Sequence, residues 1–91
     1  MPVTVRIPTQ LRPLAANASE VQIDGSTVEE VLKGLEAQHP GFGERLFDAE
    51  GNLRRFVNVF VADEDIRFLD GLSTPVEDST TISIIPAVAG G

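Results

Sequence analysis

The stretch Ser26-Thr27-Val28-Glu29-Glu30-Val31-Leu32-Lys33-Gly34-Leu35 carries the clearest pattern in this sequence. Ser26 or Thr27 can cap a helix, and Glu29 or Glu30 three residues on completes a capping box. Val28, Val31, Leu32 and Leu35 recur at helical spacing, while Glu29, Glu30, Lys33 and Glu36 take the other face. Glu29 and Lys33 stand four apart in the favourable order, worth roughly 0.2–0.5 kcal/mol. Pro40 and Gly41 stop the helix after His39. A helix with one apolar stripe has to lie on a second layer, and the flanking sequence must supply it.

Upstream, Val3, Val5 and Ile7 alternate with Thr4 and Arg6, a period of two that marks a half-buried strand ended by Pro8. After a loop with Pro13 and Asn17, Val21 and Ile23 alternate with Glu20, Gln22 and Asp24, which predicts a second strand paired with the first. Downstream, Gly43 to Phe47 is expected to form one further helical turn. Phe56-Val57-Asn58-Val59-Phe60-Val61 is β-branched and aromatic, as befits a central strand. Asp63-Glu64-Asp65 is expected to turn the chain, Ile66 to Leu69 to form a short return strand, and Thr81 to Ile85 the last strand. The order hairpin, helix, strand, short strand, strand predicts an α+β fold, a mixed sheet packed on one main helix in a β-grasp arrangement. The expected core is Val3, Val5, Ile7, Val28, Val31, Leu32, Leu35, Val57, Val59, Val61, Ile82 and Ile84. Residues 1–85 form the domain and 86–91 a flexible tail.

At 91 residues with formal net charge −7, the chain has room for one small core, and folding buries only about 60–65% of its unfolded surface. The apolar fraction of 42% is that of a globular chain. Cysteine is absent, which removes disulfides, thiolate nucleophiles, persulfides and Cys-ligated metal centres together. The acidic balance opposes phosphate backbones and anionic lipid, so neither nucleic acid nor membrane is an expected partner, and a basic protein surface is the easier one. No signal peptide or bilayer-spanning run is read at either end, and a cytoplasmic location is the expectation.

The ending Pro86-Ala87-Val88-Ala89-Gly90-Gly91 has two readings. One is a frayed tail or a cloning remnant. The other is mechanical: small residues after Pro86 feed extended into a narrow channel, and glycines let another protein's groups close on the terminal carboxylate. That carboxylate, with pKa about 3.3–3.7, is ionised at neutral pH and can attack the α-phosphate of ATP. The acyl-adenylate so formed can accept sulfur to become a thiocarboxylate.

Other constellations are weaker. Gly25-Ser26-Thr27 lacks the lysine of a phosphate loop, and Gly41-Phe42-Gly43 lacks the third glycine of a dinucleotide fingerprint. His39, the one histidine, is read as a surface or capping residue, and no metal site is expected around it. Asp63, Glu64 and Asp65 are read as a solvated turn rather than a cation site. Arg54 and Arg55 either meet an acidic partner or are a solvated strand entry. If Val57, Val59 and Val61 face the helix, strand parity turns Phe60 and Ile85 outward, where a loop covers them or a partner docks beside the tail.

The stretch Arg55-Phe56-Val57-Asn58-Val59-Phe60-Val61, then Glu64-Asp65-Ile66-Arg67, Leu72, Thr74, Val76, Asp78 and the ending Ile85 to Gly91 resemble the ubiquitin-like sulfur carriers of the MoaD/ThiS group, most closely the CysO type. The resemblance covers most of the chain and is strongest from Arg54 onward. It implies a β-grasp fold and a carrier that is not itself an enzyme. Gly91 would be activated by an E1-like adenylyltransferase and sulfurtransferase with ATP used by that partner, the carrier binding no cofactor, and converted to a thiocarboxylate without prior trimming. In CysO-type systems the sulfur goes to an aminoacrylate on a pyridoxal-phosphate-dependent cysteine synthase, and a zinc metallopeptidase releases the cysteine; related carriers serve molybdopterin, thiamine, thiolated tRNA or thiosugar pathways through another sulfur-incorporating enzyme, and the choice of acceptor lies in the partner. A ubiquitin-like modifier conjugated to lysines, and a small subunit of a molybdopterin-synthase-like complex, are the alternatives.

Overall fold

Alternation in the first strand converts directly into one face of a sheet. The computed structural model describes residues 2–54 and 57–86. In chain order the elements are β1 (Val3–Arg6), β2 (Glu20–Ile23), α1 (Val28–Gln38), α2 (Phe42–Leu46), β3 (Val57–Val61), β4 (Glu64–Asp65) and β5 (Thr81–Pro86). Short 3-10 helices cover Thr9–Ala15, Ile66–Phe68 and Gly71–Ser73. The five strands form one sheet in the order β2-β1-β5-β3-β4. β1 runs parallel to β5, and the remaining neighbours are antiparallel. This is the mixed sheet with one main helix expected of a β-grasp.

Register places like with like. Val5 stands opposite Val21 on one side and Ile82 on the other, Ile82 opposite Val61, and Val59 opposite Ile84, so apolar rows cross the sheet. Against them α1 sets Val28, Val31, Leu32 and Leu35, none with any exposed surface. Complete burial of such a side chain is worth about 1.5–3 kcal/mol relative to leaving it in water. Phe42 and Leu46 of α2 join the same core, as do Leu11 and Ala15 from the first 3-10 helix, Ile66 and Val76. The last six lie in segments with no extended periodicity, and sequence reading did not place them inside.

The two ends of α1 explain its position. The Thr27 hydroxyl accepts the Glu30 N–H at 3.2 Å, while the Glu30 carboxylate accepts both the N–H and the hydroxyl of Ser26 at 3.0 Å. The backward reach therefore lands one residue before the cap, and those bonds hold the Glu30 carboxyl below the usual range. Before the cap, a Cβ on Gly25 would lie 2.7 Å from Val31 Cγ2 and 2.9 Å from Val31 N, so only a bare α-carbon fits. At the other end His39 terminates the helix and turns its ring edge-on to Phe42, with centroids 6.5 Å apart. Gly41 then reverses the chain at φ +116°, and the Glu36 carboxylate accepts the N–H groups of Gly41 at 3.1 Å and Gly43 at 2.8 Å. His39 thus sits at a cap, as its position in the sequence suggests.

Three expectations need correction. The turn after β3 is Ala62-Asp63, both at positive φ (50° and 74°), with Val61 opposite Glu64. That two-residue hairpin brings the return strand forward to Glu64–Asp65; Ala-Asp lacks the Gly or Asn that usually announces such a turn. The stretch from Ile66 is accordingly not a strand but a 3-10 turn that buries Ile66 while leaving Phe68 exposed. Val61, the last residue before the hairpin, is half-buried rather than part of the core. The last strand reaches Pro86, whose backbone stands opposite Val57.

Candidate functional site at the open sheet face

The face away from α1 carries the other half of each strand's alternation. From β2 to β4 its central row reads Glu20, Arg6, Ser83, Phe60, Asp65. At the β2 end it is polar: Arg6 Nε lies 3.3 Å from the Glu20 carboxylate, and Thr4 bonds to Gln22 across the pair. At the β3 and β5 end it turns apolar, with Ile85 half exposed at 50% and standing opposite Asn58. Phe60 lies half-buried between Ser83 and Asp65. Of the two outward side chains expected from parity, Ile85 is the open one.

A polar clamp adjoins Ile85. Arg67 donates its backbone N–H to Asp65 Oδ1 at 2.8 Å and its Nη2 to Asp65 Oδ2 at 2.8 Å. The same Nη2 donates to Asn58 Oδ1. These bonds hold the Asp65 carboxyl below its ordinary range and raise the Arg67 guanidinium. Next along the chain stand Phe68, 86% exposed, and Leu69, 38% exposed. Sequence reading missed this group because strand alternation would have put Phe68 on the same side as buried Ile66.

The strand β5 runs to Pro86 beside this neighbourhood. Its pairing with β1 stops at Ser83, whereas its pairing with β3 continues through Ile85 to Pro86. Ala87, Val88, Ala89, Gly90 and Gly91 lie outside the described residues, as do Arg55, Phe56 and the side chain of Pro86. Arg54 is described, and its Nε donates to the Glu44 carbonyl at 3.0 Å.

The remaining candidates resolve into structural parts. Gly25-Ser26-Thr27 is the cap of α1, and Gly41-Phe42-Gly43 opens α2 under the Glu36 carboxylate. Among the described residues no group of three or more His, Asp or Glu side chains is placed to hold a metal ion. A groove of about 660 Å³ runs between Asn52–Arg54 and Asp65–Leu72, and its lining offers no hydroxyl, thiol or imidazole. No helix among the described residues is long and apolar enough to cross a membrane.

Comparison with known proteins gives a consistent answer. The profile of the ThiS family matches residues 5–91. The sulfur carrier protein CysO of Mycobacterium tuberculosis is 48% identical over the full length of both chains. A chain of the crystal structure of an Amycolatopsis orientalis BexX/CysO complex superposes with TM-score 0.91 at 47% identity, covering 98% of this chain and 99% of that one. Small archaeal modifier protein 3 of Haloferax volcanii is 38% identical over 75% of this chain and 73% of its own. With a five-stranded mixed sheet, a single main helix and a match that runs through Gly91, the chain belongs to the ThiS family of ubiquitin-like β-grasp proteins.

Proposed function

We propose that this chain is a sulfur carrier whose working group is the carboxylate of Gly91. The observation that carries the reading is full-length identity of 48% to a sulfur carrier, aligned through the terminal Gly90-Gly91. A carboxylate is a poor acyl electrophile until its oxygen is made a leaving group. Its attack on the α-phosphate of ATP, in an E1-like adenylyltransferase, expels pyrophosphate and gives the acyl-adenylate. A sulfide-level donor then displaces AMP and leaves the thiocarboxylate, whose sulfur is the softer nucleophile. Small residues from Ala87 onward suit insertion into a narrow site, and a chain without cysteine has no thiol to carry the sulfur, which favours the chain end.

The acceptor implied by the resemblance to CysO-type carriers is the aminoacrylate of a pyridoxal-phosphate-dependent cysteine synthase, with release of the product by a zinc metallopeptidase. Pyridoxal phosphate, zinc and ATP belong to those partners. The need for ATP fits a cytoplasmic setting. The test is mass spectrometry of the intact chain after incubation with adenylyltransferase, ATP and a sulfur donor. Exchange of one oxygen for sulfur at Gly91 is expected, and an unchanged mass in the presence of an active adenylyltransferase overturns the reading. The 38% identity to a small archaeal modifier protein favours one second reading, isopeptide conjugation of Gly91 to lysines, for which lysine conjugates without thiocarboxylate are the signature.

A further inference from the structure

A groove opens into the core beside the start of β3. Val57, Val59 and Ile66, each at most 5% exposed, lie at its bottom, and half-buried Leu53 and Leu72 form its sides. At about 660 Å³ it has room for several small residues, and its lining is mainly apolar. Among the described residues that line it there is no hydroxyl, thiol, imidazole or primary amine, so it can hold an acyl group without attacking it.

Its charge also departs from that of the molecule. The chain carries a net −7, yet the lining sets Arg54 and Arg67 against Asp65 alone. Asp65 and Arg67 are bonded to each other, which leaves Arg54 as the lining cation without a carboxylate among the described residues. Its Nε donates to the Glu44 carbonyl, a neutral group. Arg54 also borders a hollow with Glu36, Glu44 and Asp48, but Glu36 and Asp48 accept main-chain N–H groups and none of the three forms an ion pair with it. Asp70, exposed next to Gly71 on the other side of the groove, repels an anion there. A carboxylate that enters is therefore drawn to the Arg54 side.

Chain length selects the occupant. The last described residue, Pro86, stands with its backbone opposite Val57, one strand spacing of about 5 Å away. Val57 donates its N–H to the Arg54 carbonyl at 3.0 Å, which keeps those two α-carbons within about 7 Å. The α-carbon of Arg54 is therefore within about 13 Å of that of Pro86. Five residues follow Pro86 and span up to about 18 Å. They are Ala87-Val88-Ala89-Gly90-Gly91, small, with uncharged side chains and a terminal carboxylate, which matches an apolar groove with one available cation. Tethering raises the local concentration to about the millimolar range, so even a weak contact is well populated.

We propose that this groove receives the chain's own end, Ala87 to Gly91, with Val88 on its apolar bottom and the terminal carboxylate on Arg54. A thiocarboxylate is also an anion and fits in the same way. The groove thus stores the end between encounters with enzymes, and an enzyme that binds the end more tightly withdraws it.

The experiment exploits the absence of native cysteine, which makes an introduced pair unambiguous. Ala89→Cys is combined either with Leu72→Cys in the groove or with Thr9→Cys, exposed just beyond β1 on the other side of β5. Closure by glutathione disulfide is followed by intact mass as the loss of two hydrogens from the monomer. The groove pair is expected to close roughly tenfold faster than the Thr9 pair, and Arg54→Gln to slow the groove pair several-fold while leaving the Thr9 pair unchanged. Thermal melting establishes that each variant is folded, and Asn52→Cys, exposed on the opposite wall, replaces Leu72→Cys if the latter unfolds the chain. Equal rates for the two pairs, or a groove rate indifferent to Arg54→Gln, overturn the groove assignment. No adenylyltransferase takes part, so that failure leaves the carrier reading standing.

Discussion

The two faces of this one sheet are built on different terms. Toward α1, Val3, Val5, Ile23, Val59, Ile82 and Ile84 are each at most 2% exposed and meet a helix stripe that is wholly buried. No buried side-chain nitrogen or oxygen among the described residues lacks a partner. On the other face the contacts are ion pairs with at least one partner in water and a half-exposed Ile85 beside the root of the tail. Ion pairs in contact with water are screened and add little to stability. Stability therefore resides on the helix side, and the open side is free to be shaped for contact with other proteins.

The most direct way to break that contrast is Leu32→Ala. Leu32 has no exposed surface and faces the middle of the core, so its truncation is expected to cost about 2–5 kcal/mol in urea unfolding. For a domain whose total stability is of the order of 5–15 kcal/mol, that is a large share. A cost below about 1 kcal/mol would mean that α1 is not what holds the sheet. Gly25→Ala should come next, at about 1–3 kcal/mol, because the new methyl meets the Val31 backbone nitrogen at 2.9 Å and backbone cannot step aside as a side-chain tip can. A neutral Gly25→Ala would show that the loop entering α1 is looser than its contacts indicate.

The contrast between faces also explains what the sequence made legible. Where a period of two or 3.6 runs unbroken, as in Val3 to Ile7 or Val28 to Leu35, each residue's burial follows from its neighbours, and the helix, the first hairpin and most of the core were readable. Where the chain changes period within two or three residues, they do not inform. Ala62 and Asp63 take positive φ without glycine, and Ile66 and Phe68 then part company in a 3-10 turn. The Arg67 clamp was invisible for the same reason, since it joins Asp65 and Asn58 through tertiary geometry that no local pattern encodes. The chemistry proposed for the chain end draws on the residue types of the ending and on family membership rather than on the described structure.

A smaller effect is expected on the open face, and pH exposes it. Arg67 depresses the Asp65 carboxyl in the folded chain, so the interaction stabilises the fold above the ordinary aspartate pKa of about 3.9 and is lost as pH falls through the lower folded value. Asp65→Asn should therefore flatten the acid limb of the stability curve, with little difference between mutant and wild type well below that range. Urea midpoints measured as pH is lowered check it. An acid limb identical to that of wild type would place the acid sensitivity elsewhere, for which Glu30, similarly depressed by Ser26, is the next residue to substitute.

The smallest effect on stability should accompany the largest effect on function. Gly91 follows the last strand residue by five positions and, as a glycine, has no side chain to bury, so Gly91→Ala is expected to leave unfolding within about 0.5 kcal/mol of wild type. Thiocarboxylate formation should nonetheless fall sharply, because a Cβ next to the reacting carboxylate occupies space that the activating groups need on approach. Both readouts belong to one sample: a melting curve and an intact mass after incubation with the adenylyltransferase. Full thiolation of the alanine variant would show that the activating channel admits a side chain. The discriminating contacts would then lie back from the chain end, on the folded domain.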